Sequence, residues 1–453
     1  MSNRPESVSD TIAAIATPPG RGGVGVVRIS GPLAASILRT LAGDLPPPRR
    51  AVFSRFRDAN GEVMDEGLAL YFPGPKSFTG EDIVELQGHG GPVVMDMMLE
   101  SVCALGARLA KPGEFSERAF LNGRMDLAQA EAVADLIDAG SRGAARAAVR
   151  SLDGVFSREI RILADQVLQL RVYVEAAIDF PDEEVDFLSD GVIAKQIETI
   201  EHKIKDILAR AGQGQMLRDG LKVVILGRPN AGKSSLLNRL AGRESAIVTD
   251  IPGTTRDVLR EFIHLGSLPL HVIDTAGLRD SDDPVEREGI RRALAETEGA
   301  DHILLIFDDR ESIDPDELLN RIGNPTLPVT LLINKADLSG REPGPAGGFA
   351  HPAFAVSAKH GEGMDAFADY MEQTAGLHQH GEGLFLARRR HLQALTQAQQ
   401  HVAEAKEQLL TYQAGEWVAE ELSQAHHALG EIIGKVSADA LLGEIFSNFC
   451  IGK

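Results

Sequence analysis

The chain has 453 residues, 43% of them hydrophobic and 25% charged, with a net charge of −20. This excludes a disordered or fibrous protein, speaks against a broad basic face for nucleic acid, and leaves room for about three domains. Two distant cysteines, Cys103 and Cys450, exclude a disulfide framework or a cysteine-built zinc site and fit a reducing cytoplasm.

No apolar run nears the ~18 residues that cross a bilayer. The polar start Met1–Asp10 carries Arg4, Glu6 and Asp10 and lacks the apolar core of an export signal. Up to about residue 120, short apolar runs alternate with Gly and Pro, and Thr11–Ala16, Val24–Ile29, Gly67–Phe72 and Ile83–Gln87 read as strands. From about 126 to 215 the pattern is helical. Phe156, Ile160, Leu163, Val167, Leu170 and Val174 form one stripe, and Ile193, Ile197, Ile200, Ile204 and Ile207 another, after the acidic break Asp179–Asp190. From about 220 to 375, Lys222–Leu226, His271–Ile273, Ile303–Phe307, Val329–Ile333 and Ala353–Val356 alternate with helical segments, the pattern of a parallel sheet with crossover helices. Pro343–Gly348 reads as a loop. From about 384 the chain is helical again and ends in Phe449-Cys450-Ile451-Gly452-Lys453. The two helical stretches are expected to pack on each other, with the α/β stretch inserted between them.

Gly227-Arg228-Pro229-Asn230-Ala231-Gly232-Lys233-Ser234 follows the strand 222–226 and precedes the helical Ser235–Ala241. Glycines let backbone N–H groups wrap phosphates at a helix N-terminus. Lys233 is then placed for the β and γ phosphates and Ser234 for Mg²⁺. Alone, this is also what a Gly-rich turn with a chance Lys-Ser looks like. Three further motifs follow in order, each at a strand end. Asp274-Thr275-Ala276-Gly277 offers a carboxylate to the Mg²⁺ shell and a backbone N–H to the γ-phosphate. Asn334-Lys335-Ala336-Asp337 offers a carboxylate to the two N–H donors of guanine, which adenine lacks. Ser357-Ala358-Lys359 completes the base pocket. Together they resemble the P-loop GTPases.

Switch I fits Thr249–Asp257, with Thr255 as the second Mg²⁺ ligand. The residue after Gly277, where Ras-type enzymes hold a water-orienting Gln, is Leu278, and no arginine finger is evident. Asn230 with the switch I loop can bind a monovalent cation that takes the arginine's place in stabilising charge. Glu286 either orients the attacking water or is a solvated carboxylate at a helix start.

Outside the nucleotide motifs, Asp10–Gly25, Val27–Gly31, Ser77–Asp82, Glu85–Gly91, Pro112–Phe120, Asp126–Ala132 and the terminal Phe449–Lys453 resemble the tRNA uridine-modification GTPase family, MnmE or TrmE, over essentially the whole chain. The resemblance implies a multidomain α/β plus all-α protein: an N-terminal α/β folate-binding and dimerisation domain (1–122), a central helical domain in two parts (123–216 and 379–453, the second with the C-terminal Cys motif), and an inserted Ras-like GTPase domain (217–378) with a parallel sheet and helices on both faces. It implies a homodimer that binds 5-formyl- or 5,10-methylene-tetrahydrofolate through Arg28, Glu85, Arg124 (often Lys in the family) and Lys453. It implies K⁺ on Asn230, Thr249, Ile251 (backbone) and Thr254, Mg²⁺ on Ser234 and Thr255, and Glu286 as the water-orienting carboxylate. GTP is expected to contact Asn230, Ala231, Gly232, Lys233, Ser234, Ser235, Thr249, Thr254, Thr255, Asp274–Gly277, Asn334, Lys335, Asp337 and Ser357–Lys359. In that family an FAD-bearing partner, MnmG or GidA, joins in a hetero-oligomer to attach an aminomethyl or carboxymethylaminomethyl group to carbon 5 of the wobble uridine of certain tRNAs.

Three readings stay open at the residue level. Arg28 taken alone reads as a strand-end surface charge. Cys450 is a functional thiol, a buried small hydrophobe or a residue that places the tail near the folate pocket. Arg388–Arg390 with Arg142, Arg146 and Arg150 either touch tRNA or line solvated helix faces. Against the tRNA-modification reading stand an Era-type switch in ribosome assembly and a membrane-associated structural GTPase, for which no amphipathic basic anchor is seen.

Overall fold

The structure is a computed structural model that describes residues 10–179, 191–228, 230–243, 260–266, 268–274, 300–311, 314–321, 327–375, 384–435, 439–447, 449–450 and 452. The chain forms two compact units: one from residues 1–134, 152–184 and 414–453, the other from 135–151 and 185–413.

In the first unit, β1 (Ile12–Ile15), β2 (Gly22–Ser30), β3 (Val52–Arg57), β4 (Val63–Phe72), β5 (Ile83–Gly90) and β6 (Arg108–Leu109) make one sheet in the order β3-β4-β5-β2-β1-β6. The sheet departs from the α/β expectation. All its pairs are antiparallel except β1 with β6, so no run of crossover helices covers both faces. The helices Ala34–Ala42 and Pro92–Ala104 bury Ile37, Leu38, Leu41, Met95, Met98 and Val102 in one core with Val27, Ile29, Val84 and Leu86 of the sheet. Strand side chains alternate between faces, so Arg28, Glu85 and Gln87 fall on the opposite face. Part of that face is closed by a small cluster of Ile12, Ala14, Ala110, Phe115 and Phe78. The stripe from Phe156 to Val174 is buried along the helix Val155–Asp179, which packs on the helix Gly415–Ile433.

In the second unit, β7 (Leu221–Leu226), β8 (Arg260–Leu265), β9 (Leu268–Asp274), β10 (His302–Asp308), β11 (Val329–Asn334), β12 (Gly344–Ala346) and β13 (Ala353–Val356) form a sheet ordered β12-β13-β11-β10-β7-β9-β8. The five inner strands are parallel, as their nearly continuous apolar runs predict. Both edges are antiparallel: β8 pairs with β9 and β12 with β13. Gly344–Ala346 is therefore a short edge strand within the stretch read as a loop, and Pro345 is tolerated there because an edge strand needs fewer ladder donors. Two apolar clusters lie on the sheet. One joins Val223, Ile225, Leu236, Leu304 and Phe367; the other joins Val224, Ile303, Leu305, Leu319 and Leu331. In this unit too the flanking helices pair, Val192–Asp219 with Arg389–Glu407, with the isoleucine stripe from Ile193 to Ile207 buried.

The helix Val192–Asp219 ends at Gly220, whose N–H donates to the Met216 carbonyl at 2.9 Å, and β7 starts at the next residue. Gly220 has φ 72°, and a Cβ there would lie 2.9 Å from His271 Cδ2 and 3.0 Å from the Pro269 carbonyl. One glycine is thus the whole connection between helix and strand.

Candidate functional site

The P-loop follows β7 and leads into the helix Lys233–Arg243. A Cβ on Gly227 would lie 2.1 Å from the Ile306 carbonyl, and one on Gly232, at φ 101°, 2.1 Å from Asn334 Nδ2. Both positions require glycine because the loop runs directly against β10 and β11. Lys233 Nζ donates to the Gly227 carbonyl at 2.5 Å and the Arg228 carbonyl at 3.0 Å, and so lies across the mouth of its own loop.

Asn334 ends β11 and is buried. Its Nδ2 donates to the Ala231 carbonyl at 2.8 Å, and its Oδ1 accepts from Ala358 N at 3.0 Å. One side chain therefore ties the P-loop to the Ser357–Lys359 loop. Lys335 Nζ donates to the Asn230 carbonyl and to Asp308 Oδ2, both at 2.7 Å. Asp337 Oδ2 lies 3.7 Å from His360 Nε2. The Ser357–Lys359 loop is closed by His360 N donating to Ser357 Oγ at 3.2 Å, while Arg239 Nε donates to the Ala358 carbonyl at 3.1 Å and its Nη2 to the Lys359 carbonyl. The structure thus brings Asn230, Ala231, Gly232, Lys233, Asn334, Lys335, Ser357 and Ala358 together at the C-terminal ends of parallel strands, where open α/β sheets bind ligands. Ser234 and Ser235 open the helix that follows the P-loop. Asp274 ends β9. Its side chain, and Thr249, Ile251, Thr254, Thr255, Thr275, Ala276, Gly277 and Glu286, lie outside what is described.

The sequence reading missed Asp308. It closes β10 opposite Asn334, is buried, and carries Arg310 as well as Lys335. Arg310 and Lys335 hold its carboxyl well below the usual carboxylate range. The Asp309–Arg341 pair at 2.8 Å lies next to it.

A second polar site sits on the N-terminal sheet. Arg28 and Glu85 are cross-strand partners. Arg28 Nε and Nη2 donate to Glu85 Oε1 at 3.0 and 2.8 Å, and Nη1 donates to the Gly452 carbonyl at 3.3 Å. The guanidinium carbon lies 5.8 Å from the Phe78 ring centroid and 5.9 Å from that of Phe115, within cation–π range. Arg28 is a three-way contact and no bare surface charge. Arg124 Nε donates to the Ser77 carbonyl at 3.1 Å, one residue before Phe78. The C-terminal tail reaches the same region: the Cys450 carbonyl accepts from Gly113 N at 3.4 Å, and a Cβ on Gly452 would lie 2.7 Å from the Ile15 carbonyl. Cys450 is exposed, so the buried-hydrophobe reading fails, and the tail placement comes from its backbone. Lys453 lies outside what is described.

Behind this site, Arg118 is 3% exposed and donates to Asp10, Glu81 and Glu114, and Glu81 accepts from Ser30 Oγ at 2.7 Å. The paired charges lower the Asp10 and Glu114 carboxyls against the opposing effect of burial. This network fixes the Ser77–Asp82 loop, and its members are up to 108 positions apart in sequence. Of the basic cluster read along the helices, Arg388 Nη2 lies 2.7 Å from Asp135 Oδ1 and Arg150 Nη1 donates to the Leu384 carbonyl at 3.3 Å. Those two arginines build the second unit's own fold.

Among the described residues, no helix is long and apolar enough to cross a membrane. A family model described as the MnmE helical domain matches residues 127–450, and one described as the GTP-binding protein TrmE N-terminus matches residues 11–124. The tRNA modification GTPase MnmE of Erwinia tasmaniensis is 57% identical over 452 residues, covering 98% of this chain and 99% of that protein. Its counterpart in Pectobacterium carotovorum subsp. carotovorum is 56% identical over 454 residues, covering 99% of this chain and all of that protein. Among solved structures, the G domain of the T. maritima FeoB iron transporter is 23% identical with a TM-score of 0.26, over 34% of this chain and 98% of that one. The relatives match along their full length and the family models meet near residue 125, so the chain belongs to the MnmE (TrmE) family of tRNA modification GTPases.

Proposed function

We propose that this GTPase of tRNA modification works as a homodimer in the cytoplasm. K⁺ assists its hydrolysis of GTP, and with a flavin partner of the MnmG (GidA) type it brings a folate-borne one-carbon unit to carbon 5 of a wobble uridine. The observation that carries the reading is the pairing, in one chain, of a P-loop bound to guanine-type loops with an arginine–glutamate site against the C-terminal tail. The functional divisions 1–122, 123–216, 217–378 and 379–453 belong to this proposal.

At the nucleotide, Lys233 leaves the Gly227 and Arg228 carbonyls for the β and γ phosphates, and the backbone N–H groups of Gly232–Ser235 wrap them. Asp337 accepts the guanine N–H donors, and Asn334 keeps the base loop and the P-loop in register. Asn230 fits a cation ligand. It sits at φ 63° with its carbonyl held by Lys335, so its side chain is set by a fixed backbone. With Thr249, Ile251 and Thr254 it would hold K⁺, and Ser234 and Thr255 would hold Mg²⁺. Bound there, the cations supply positive charge beside the phosphates. Glu286 orients the water, a task that Leu278 has no polar group for.

At the N-terminal site, Glu85 presents a carboxylate and Arg28 a cation to the polar pterin, with Phe78 and Phe115 beside them. Arg124 and Lys453 add cations for the glutamate tail. Homodimerisation is supported by the cross-strand pair Phe53 and Leu68, which stay 64% and 40% exposed on the face away from the helices.

The test is GTP turnover in K⁺ and in Na⁺ for the wild type and Asn230→Ala. The wild type is expected to be fast only in K⁺ and the variant slow in both. Equal wild-type rates in the two salts would remove the cation from the mechanism.

A further inference from the structure

Asp308 belongs to none of the four nucleotide motifs, yet its partner Lys335 ties two of them together, the P-loop and Asn334–Asp337. Asp308 ends β10, the strand beside β7 at which the sheet order turns back, so it borders the crevice in which such sheets take their ligands. Its carboxylate is 5% exposed and accepts Lys335 Nζ at 2.7 Å. The same Nζ reaches the Asn230 carbonyl at 2.7 Å. Arg310 closes the carboxylate from its outer side, with Nε to Oδ1 at 3.0 Å and Nη2 to Oδ2 at 2.8 Å. Lys335 and the Asn230 it reaches both have left-handed backbone, φ 66° and 63°, a conformation uncommon outside glycine though readier for Asn. The ammonium held between Asp308 and Asn230 joins the P-loop and the base loop.

We infer that Asp308 is a positioning residue of the nucleotide site: through Lys335 it fixes the Asn230 carbonyl and holds the P-loop and the base loop in the arrangement that retains a guanine nucleotide. The inference rests on the guanine-nucleotide reading of these loops. A ligand held by two loops leaves faster when the tie between them is cut, because losses of retention at a binding site show mostly in the dissociation rate. Asp308 therefore governs how long GDP stays bound.

The experiment uses the full chain and four variants: Asp308→Ala, Asp308→Asn, Lys335→Ala, and the double variant Asp308→Ala with Lys335→Ala. Release of a fluorescent GDP is followed by stopped flow, with thermal melting to confirm folding. Asp308→Ala is expected to speed release on the order of tenfold. Because Asp308 acts through Lys335, the double variant should release no faster than Lys335→Ala alone. Asp308→Asn keeps the shape and loses the charge, so it should fall between wild type and Ala. Should Asp308→Ala fail to fold, Asp308→Asn carries the test alone. Wild-type release from any folded Asp308 variant, or effects that multiply in the double variant, would overturn the assignment. Asp337→Ala is the separate control: if it still binds the fluorescent GDP normally, the guanine-nucleotide reading itself is wrong, whatever Asp308 does.

Discussion

One oxygen of Glu85 accepts two hydrogen bonds from Arg28, leaving the third guanidinium nitrogen to reach the backbone of Gly452. Strand β5 thus orients the arginine toward the C-terminal tail. Glu85→Ala is expected to lower affinity for 5-formyl-tetrahydrofolate by tenfold or more, the loss expected when a partly buried charge is left unpaired. GTP affinity should stay unchanged. Calorimetry with each ligand checks it, and wild-type folate affinity in the variant would move the folate site elsewhere.

Gly232 has no room for a methyl group. At φ 101°, with Asn334 Nδ2 2.1 Å from where a Cβ would stand, alanine must displace the side chain that joins the P-loop to the Ser357–Lys359 loop. Gly232→Ala is expected to weaken GTP binding on the order of a hundredfold, a backbone and hydrogen-bond loss of a few kcal/mol. Titration with a fluorescent GTP analogue measures it.

His302 makes stability depend on pH. It is buried in β10 with Nε2 2.8 Å from Thr330 Oγ1, and burial pushes its pKa down to about 4 from 6.5. Between those values the unfolded chain takes up a proton that the folded chain refuses. Stability is therefore complete above pH 6.5 and falls as pH drops toward 4, by about 1.4 kcal/mol per pH unit from this group. His302→Gln should flatten that part of the slope. Urea unfolding of wild type and variant at pH 7 and pH 5 separates this histidine from the carboxylates common to both.

Glu286→Ala is expected to slow hydrolysis on the order of a hundredfold or more with GTP affinity nearly intact, because a water-orienting group acts in the transition state. Single-turnover hydrolysis beside nucleotide binding decides it. A fall in affinity with unchanged turnover would make Glu286 structural.

The inner parallel strands of the second unit and the long helices were legible because their signal is local. A buried parallel strand is a continuous apolar run, and a packed helix shows its stripe every three or four residues. The nucleotide loops were legible for the same reason, as short motifs at strand ends. What stayed hidden depends on pairing across distance. Gly344–Ala346 is a strand only because β13 lies beside it. The N-terminal runs read as strands, and their antiparallel order, against the α/β class the resemblance implied, appears only with the registers. Asp308 carries no motif, and Lys335 makes it part of the site. The arginines at 150 and 388 looked like an open basic surface until their partners, the Leu384 carbonyl and Asp135, were in place.

Gly220 turns the helix 192–219 into a lever arm. Its 28 residues rise about 1.5 Å each, for a length of about 42 Å. A rotation of about ten degrees at Gly220 would therefore carry the far end of that arm by about 7 Å, while β7 and the P-loop beyond it hardly moved. The fulcrum admits no side chain, because His271 and Pro269 already occupy the space a Cβ would need. A small angular change at the N-terminal start of β7, the strand end opposite the P-loop, thus becomes a displacement of several ångströms at the far end of the arm, by a ratio set by helix length alone.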